Sequence, residues 1–151
     1  MSKQNPKPLN LNEFLPYRLS IVTNKVSRLF SNLYSEKFDL TIPEWRIMAV
    51  LGQTPRLSAD EVCVKTEMDK VTVSRAVTKL LEKKHITRAF SDEDRRRSIL
   101  ELSKSGYGTY SQIVPLAHQF EQQLVRSLSA TEIKSLEKLL DKLNRQLNEN
   151  Y

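Results

Sequence analysis

The chain has very few of the residues from which catalytic and metal sites are built. Its 151 residues include one cysteine, two histidines and three glycines. Because His85 and His118 stand apart from each other and from Cys63, we expect no metal site and no cofactor. The sequence also lacks a Ser/His/Asp set and a phosphate-binding glycine loop. We therefore expect a protein that is not an enzyme.

Long apolar segments are also missing. No run approaches the ~20 consecutive apolar residues of a membrane-spanning helix. The first ten residues, MSKQNPKPLN, lack the apolar core of a signal peptide, so we expect a cytoplasmic protein. Three glycines are too few for many tight β-turns, and a length of 151 residues favours one compact, mainly helical domain.

Positive charge is unevenly distributed along the chain. The formal net charge is +6, and residues 70–97 hold nine lysines and arginines against four acids, an excess of +5. Residues 56–69 hold two basic residues against four acids, an excess of −2. A basic segment alone is weak evidence, because many solvated helices are basic. It gains weight where it coincides with a helix-turn-helix pattern, since DNA attracts such a surface.

The middle of the chain, residues 39–103, has the element order of a winged helix-turn-helix unit. Residues 41–44 and 58–61 are capping boxes, each opening a predicted helix. Asp69 is the predicted N-cap of a third helix over roughly residues 70–84. Two β-capable runs, 86–91 and 98–102, then flank a charged tip of six residues, DEDRRR. The pattern predicts an exposed helix and a basic wing on the same side of a small unit.

Both ends of the chain carry helical patterns with apolar stripes. Residues 11–38 show apolar side chains at steps of three and four, with Pro16 near the start, and predict one long helix. Another long helix starts at Ser103 and contains Pro115. The last follows a capping box at residues 129–132 and carries a coiled-coil-like seam of Ile133, Leu136, Leu140, Leu143 and Leu147.

The winged unit is too small to cover all of these stripes. We therefore expect residues 11–38 and 104–151 to form a dimerisation region that pairs with a second copy, with residues 1–10 flexible. The alternative is that the terminal helices pack only within one chain. The predicted fold is mainly α with a small β-wing, a winged helix-turn-helix flanked by long N- and C-terminal dimerisation helices.

Residues 38–106 resemble the MarR family of winged helix-turn-helix regulators. The matching segments are LTIPEWRIMAVL, DKVTVSRAVTKLLEKK, ITR and DEDRRRSILELSKSG. The resemblance implies a homodimeric transcription factor that binds double-stranded DNA at a palindromic operator. It also implies a recognition helix over residues 70–84 in the major groove, Arg96 in the minor groove, and Asp94 supporting the wing arginines. Members of the family usually repress, and many release DNA on binding a small aromatic or phenolic effector.

The sequence departs from the family pattern in two places. The family commonly has glycine at the end of the recognition helix, where this chain has His85, so we expect the helix to end differently. The peroxide-sensing branch carries a reactive cysteine in its first long helix, and this chain has none there. Cys63 instead lies between Val62 and Val64, which we expect to be buried, and this favours an inert thiol over a sensor.

The side chains of the predicted recognition helix and wing are the candidate DNA contacts. Arg75 either bonds a guanine bidentately or contacts a phosphate, and Lys79 is the favoured phosphate contact among the lysines. The full set of predicted DNA contacts is Lys70, Thr72, Val73, Ser74, Arg75, Thr78, Lys79, Arg95, Arg96 and Arg97. Four aromatic residues either line an effector pocket or belong to the core: Tyr17, Trp45, Tyr107 and Tyr110.

Two further functions remain open at this point. One is the same fold as an architectural or constitutively bound DNA protein with no effector. The other is a protein-interaction scaffold that uses only the terminal helices, which leaves the basic wing unexplained.

Overall fold

The computed structural model describes residues 6–90, 93 and 97–151. Its elements are α1 (Leu15–Ser31), α2 (Ser35–Phe38), α3 (Ile42–Gln53), β1 (Leu57–Ser58), α4 (Ala59–Thr66), α5 (Lys70–Glu82), β2 (Ile86–Phe90), β3 (Ser98–Leu102), α6 (Lys104–Leu124) and α7 (Ala130–Asn150). They fall into two compact units, one up to Ile113 and one from Val114 onward, so α6 contributes to both. Among the described residues, no helix combines the length and apolar character needed to cross a membrane.

Three helices begin at the capping boxes that the sequence predicts. At the start of α3, the Glu44 N–H donates to the Thr41 hydroxyl at 3.3 Å, and the Thr41 N–H donates to the Glu44 carboxylate at 3.4 Å. The boxes at residues 58–61 and 129–132 make the same pair of bonds at α4 and α7. Each box satisfies two N–H groups near a helix start that would otherwise need other partners.

The N-terminal pattern over residues 11–38 does not form the single helix that we expected. Helix α1 ends at Ser31, and the four-residue α2 starts at Ser35. The turn between them brings Tyr34 into the core, where it is 1% exposed. Burial of this large ring offsets the helical hydrogen bonds lost at the break. Pro16 lies in the first turn of α1, as predicted.

The strands form one antiparallel sheet in the order β1-β3-β2. Ile86 pairs with Leu102 and Phe90 with Ser98, so β2 and β3 are the arms of the predicted hairpin. Most of the predicted tip, residues 92 and 94–96, lies outside the described residues, and so does residue 91, the last of the first β-capable run. Strand β1 was not predicted, because a strand of two residues is too short to show an alternating pattern.

A hydrophobic core in the first unit holds α5 from one side. It includes Ile47 and Met48 of α3, Val77 and Leu80 of α5, and Leu100 of β3, none more than 2% exposed. The side of α5 that faces away from these residues is therefore left exposed.

Helix α4 buries less of its surface than we expected from the sequence. Val62 is fully buried, but Val64 is 74% exposed. The reason is helical geometry, since residues two positions apart point about 200° away from each other around the helix. Cys63, between them, is a free thiol of intermediate exposure.

The terminal helices keep their apolar side chains exposed within the single chain. Neither α1 nor α7 contains a buried residue. The exposed apolar residues are Leu15, Leu19, Val22 and Leu29 on α1, and Leu136, Leu139, Leu140, Leu143 and Leu147 on α7.

Tyr34 provides a pH test of the core. Burial raises its pKa to about 12 from the ordinary value of 10.0, although the nearby Arg46 charge acts in the opposite direction. The neutral phenol stabilises the fold fully below pH 10.0, and this contribution is lost as the pH rises towards 12. Urea midpoints measured across this range should fall more steeply for the wild type than for Tyr34→Phe. Parallel pH curves for the two proteins would contradict the assignment.

Candidate nucleic-acid interface

Helix α5 begins at a rigid cap. Asp69 accepts a hydrogen bond from the Thr72 N–H at 2.8 Å and another from the Thr72 hydroxyl at 2.8 Å. These bonds lower the pKa of Asp69, so its carboxylate stays ionised at the helix N-terminus, where negative charge is favourable. The hydroxyl proton of Thr72 is therefore already used within the helix.

The outer face of α5 is a single stripe. Val71, Ser74, Arg75 and Thr78 are exposed at the spacing i, i+3, i+4, i+7, which places them on one side of the helix. Lys79 borders this stripe and is also exposed. The stripe is the surface that α5 can offer to a large partner.

Val73 does not belong to this exposed face. It was predicted to contact DNA, but it is 1% exposed and packs in the core with Val77 and Leu80. The positions 73, 77 and 80 share the helical period, so the periodicity already placed Val73 on the inner side. The exposed valine of α5 is Val71, at 59% exposure, which was not among the predicted DNA contacts.

The polar groups of the stripe differ in how far they are already engaged. The Thr78 hydroxyl donates to the Ser74 carbonyl at 3.0 Å. Lys79 pairs with Glu82 at 3.2 Å, and Lys70 lies 4.0 Å from Asp60. These exposed ion pairs contribute little to stability and exchange easily.

Two side chains of the stripe have no partner in the described part of the chain. They are the Ser74 hydroxyl and the Arg75 guanidinium, for which the structure shows neither a hydrogen bond nor an ion pair. Arg75 carries five N–H donors in a planar fork that fits a phosphate or the guanine edge. It is therefore the group of α5 best prepared to bind a new acceptor.

An open groove of about 270 Å³ runs between the start of α3 and the outer face of α5. Its lining consists of Thr41, Pro43, Glu44, Thr72, Arg75, Ala76 and Lys79. The carboxylate of Glu44 is already paired with Lys83 at 2.7 Å, and Lys79 is paired with Glu82 at 3.2 Å, so Arg75 supplies the unpaired charge of this lining. Such a groove suits an anionic group.

The C-terminal end of α5 is closed by a Schellman motif. The His85 N–H donates to the Leu80 carbonyl at 2.9 Å, and the Lys84 N–H donates to the Leu81 carbonyl at 3.0 Å. Lys84 takes the left-handed conformation with φ of 62°. We expected His85 to occupy the position where the family commonly has glycine. In the structure, Lys84, one residue earlier, occupies the left-handed position that favours glycine.

The same helix end is bonded to the start of α6. Ser103 donates its N–H to the His85 carbonyl at 2.9 Å and its hydroxyl to the Lys84 carbonyl at 2.6 Å. The Ser103 oxygen accepts from the Gly106 N–H at 2.9 Å. A Cβ on Gly106 would lie 1.8 Å from the His85 carbonyl oxygen, so only glycine permits this approach.

An ion pair joins α5 to α3. Lys83 bonds the Glu44 carboxylate at 2.7 Å, also donates to the Asp39 carbonyl, and lies 3.6 Å from the Asp39 carboxylate. His85 lies close by. Burial, and then the Lys83 charge, lower its pKa, and its Nδ1 atom is buried without a hydrogen bond. His85 is therefore neutral at neutral pH and adds no charge here.

The base of the wing is partly described. Arg97 is exposed beside the first residue of β3, and Arg88 is exposed on β2. Arg56 forms an ion pair with Glu101 of β3. Asp94, Arg95 and Arg96 lie outside the described residues, so their predicted roles stay predictions.

The aromatic residues singled out in the sequence do not all lie together. Trp45 stacks on Tyr110 with ring centroids 6.0 Å apart, and Tyr107 lies 5.8 Å from Tyr110. Phe30 and Tyr34 complete this aromatic cluster. Trp45 is 9% exposed and Tyr107 is 57% exposed, so the cluster extends from the core to the surface. Tyr17, on α1, makes no ring contact within the described residues.

Comparison with known proteins gives this fold a family. A model of the MarR family matches residues 38–97. The crystal structure of a MarR/EmrR family transcriptional regulator from Acinetobacter sp. ADP1 is 30% identical, covers 93% of this chain and 99% of its own, and has a TM-score of 0.86. The chain belongs to the MarR family of transcriptional regulators.

Two other MarR-type proteins extend this comparison. The HTH-type transcriptional regulator MgrA of Staphylococcus aureus is 25% identical over 140 residues, which is 93% of this chain and 94% of MgrA. A mutant MarR from E. coli, crystallised with operator DNA, is 23% identical, covers 90% of this chain and 97% of its own, and shares the fold with a TM-score of 0.79. This MarR-family chain is accordingly a DNA-binding transcriptional regulator with a winged-helix fold.

In the described part of this MarR-family chain, no group of three or more His, Cys, Asp or Glu side chains is placed to hold a metal ion.

The left-handed lysine at the end of α5 can be tested directly. Lys84→Gly should raise the free energy of unfolding by up to about 1 kcal/mol, because glycine removes the left-handed strain and loses part of this gain to its freer unfolded state. Lys84→Ala removes the same charge but keeps a Cβ, and it is the matched control. Urea unfolding measures both, and equal stability of the two variants would rule out backbone strain at this residue.

Proposed function

We propose that this MarR-family regulator acts as a homodimer that binds a short palindromic operator and represses transcription. In this proposal, α5 enters the major groove with its exposed stripe towards the base edges. The observation that carries the proposal is the position of Arg75, which has no hydrogen bond or ion pair with another described residue, on a helix whose inner side is buried in the core. A helix held in this way presents its outer side chains to the groove in a fixed orientation.

Individual roles follow from how each side chain is engaged. Arg75 reads a guanine, since its guanidinium has no competing partner within the described residues. Ser74 and Lys79 contact the phosphate backbone, and Lys79 exchanges its exposed pair with Glu82 for this purpose. Thr72 and Thr78 accept hydrogen bonds more readily than they donate, because their protons are used within α5.

The wing contributes the second part of the proposed interface. Arg97 is exposed just before β3 and directly follows Arg95 and Arg96 in the sequence. We assign Arg96 to the adjacent minor groove, where arginine suits the negative potential of a narrow groove, and Asp94 to the support of these arginines. Lys70, at the first turn of α5, adds a further positive charge.

Dimerisation is proposed from the uncovered terminal helices. Five leucines of α7 and four apolar residues of α1 are exposed in the single chain. Burying these faces against a second copy removes them from water, at roughly 25 cal/mol per Å² of apolar surface. A two-fold dimer also presents two α5 helices to successive major grooves, about 34–36 Å apart.

Release by a small aromatic or phenolic compound completes the proposal. The support is chemical, since the aromatic cluster of Trp45, Tyr110 and Tyr107 reaches the surface and can stack on such a ring. The alternative is a regulator or architectural protein without an effector. Trp45 is the chain's one tryptophan, so its fluorescence reports binding at this cluster. A protein acting on chromosomal DNA in this way works in the cytoplasm.

The first test concerns Arg75. Arg75→Ala should weaken binding to a selected operator by ~1–3 kcal/mol and relax base preference at one symmetric position. If Arg75 contacts a phosphate instead, the salt dependence becomes shallower by about one unit per half-site and base preference is kept. Arg126→Ala removes an equal exposed charge from the turn after α6 and is the control. Affinity that is unchanged by Arg75→Ala would remove this residue from the interface.

The second test concerns the dimer. Leu140→Gln places a polar group in the apolar face of α7 and should shift sedimentation towards the monomer, with weaker operator binding. Lys138→Gln, nearly opposite Leu140 on the same helix, changes an exposed side chain outside the apolar face and is the control for altered surface polarity. A wild type that sediments as a stable monomer at micromolar concentration would overturn the proposed dimer.

A further inference from the structure

One exposed side chain of α5, that of Val71, can form neither a hydrogen bond nor an ion pair. Val71 is 59% exposed in the outer stripe, whereas Val73 and Val77 of the same helix are 1% and 2% exposed and belong to the core. A single exposed aliphatic side chain is ordinary on a protein surface. Val71, however, shares one helical face with Ser74, Arg75 and Thr78, the residues proposed to meet DNA.

The chemistry of the major groove restricts what Val71 can contact. Its branched hydrocarbon side chain neither donates nor accepts a hydrogen bond, so it cannot bind a phosphate or a polar base edge. Against such an edge it would displace water without replacing the lost hydrogen bonds. The one apolar group that a base pair displays in the major groove is the C5-methyl group of thymine. We infer that Val71 recognises a thymine methyl group in each half of the operator, an inference that rests on the proposed function of α5.

The local structure favours such a contact. Val71 is the second residue of α5, and the first turn of a recognition helix is the part that approaches the base edges. The Asp69 cap bonds the N–H of the next residue, Thr72, at 2.8 Å, which fixes the backbone on either side of Val71. Valine is also stiff at χ1, so its two methyl groups are held in place before DNA binds.

The position of the thymine relative to the guanine read by Arg75 also follows. Val71 and Arg75 are four residues apart, which corresponds to about 6 Å along the helix axis. Successive bases on one strand are about 3.4 Å apart along the duplex. The thymine should therefore lie one to two base pairs from the guanine that depends on Arg75.

The experiment replaces thymine by uracil, which lacks only the methyl group. Operators are first selected from random DNA with the full-length wild type, and each thymine is then replaced in symmetric pairs. At one position near the Arg75-dependent guanine, the wild type should bind the uracil operator about threefold to fivefold more weakly per half-site than the thymine operator. This is the loss expected when one methyl-sized group is no longer buried. Val71→Ala should bind the thymine and uracil operators equally well there, and Val71→Ile should keep the preference for thymine.

Val64→Ala is the matched control. Val64 is 74% exposed on α4, so the variant removes the same side-chain atoms from a different helix and should keep the wild-type uracil response. Because both valines are exposed, both variants should fold, and unchanged thermal unfolding checks this. If Val71→Ala is as sensitive to uracil as the wild type, or if no thymine methyl affects wild-type binding, the inference is wrong.

Failure of the inference differs from failure of the proposed function. A chain that keeps an Arg75-dependent guanine preference but has no Val71-dependent thymine still binds DNA as proposed, and only the methyl contact is refuted. A wild type that selects no sequence and shows no salt-dependent binding to duplex DNA refutes both.

Discussion

The position of α5 depends on the carbonyl group of His85. This oxygen accepts the Ser103 N–H at 2.9 Å and lies directly against Gly106, where a Cβ would be 1.8 Å away. Helix α5 ends shortly before His85, and the two residues that contact its carbonyl, Ser103 and Gly106, lie at the start of α6. Helices α5 and α6 are therefore joined by main-chain contacts, which tolerate much less rearrangement than contacts between flexible side chains.

The remaining contacts of α5 complete its fixation. The Asp69 cap closes its first turn, the core residues hold its inner side, and Lys83 ties its last turn to Glu44 of α3. Glu44 is 3% exposed, so its charge depends on Lys83 for compensation. With both ends and the inner side held, only the outer side chains of α5 can adapt to a partner. Such a helix loses little conformational entropy on binding, because its backbone is already ordered.

Much of this arrangement follows from sequence. The three capping boxes, the Asp69 cap and the β2–β3 hairpin are visible as local patterns, because each depends on residues close together in the chain. The interruption between α1 and α2 at Tyr34 is not visible in the sequence, because it results from packing in the core. The strand β1 is not visible either, because it results from pairing with distant residues such as Leu100. The exchange of Val73 for Val71 is a different kind of error. The two residues have the same side chain, and their helix positions alone separate them, because Val73 shares the inner side of α5 with Val77 and Leu80.

The sequence could not predict which polar side chains of α5 already have a hydrogen-bond or ion-pair partner. Thr72, Ser74 and Thr78 are equivalent as sequence letters, but in the structure two of their hydroxyls are bonded within or beside α5 and one is free in the described region. Likewise, the sequence shows Arg75 and Lys79 only as two cations. The distance between the Lys79 ammonium and the Glu82 carboxylate shows that Lys79 has an ion-pair partner. Such distinctions depend on rotamers, which sequence patterns do not encode.

The scarcity of glycine explains a last feature of the winged unit. Among the described residues, four non-glycine residues have a positive φ, namely Asp39, Arg56, Glu67 and Lys84, and all four are charged. Each carries a left-handed strain of about 1–2 kcal/mol that glycine would avoid. At the end of α5, a glycine would give the more stable turn, but it would also remove a positive charge from the most basic segment of the chain. A lysine there lowers folding stability and strengthens the field that attracts DNA, which is the balance expected where a binding surface and a helix terminus coincide.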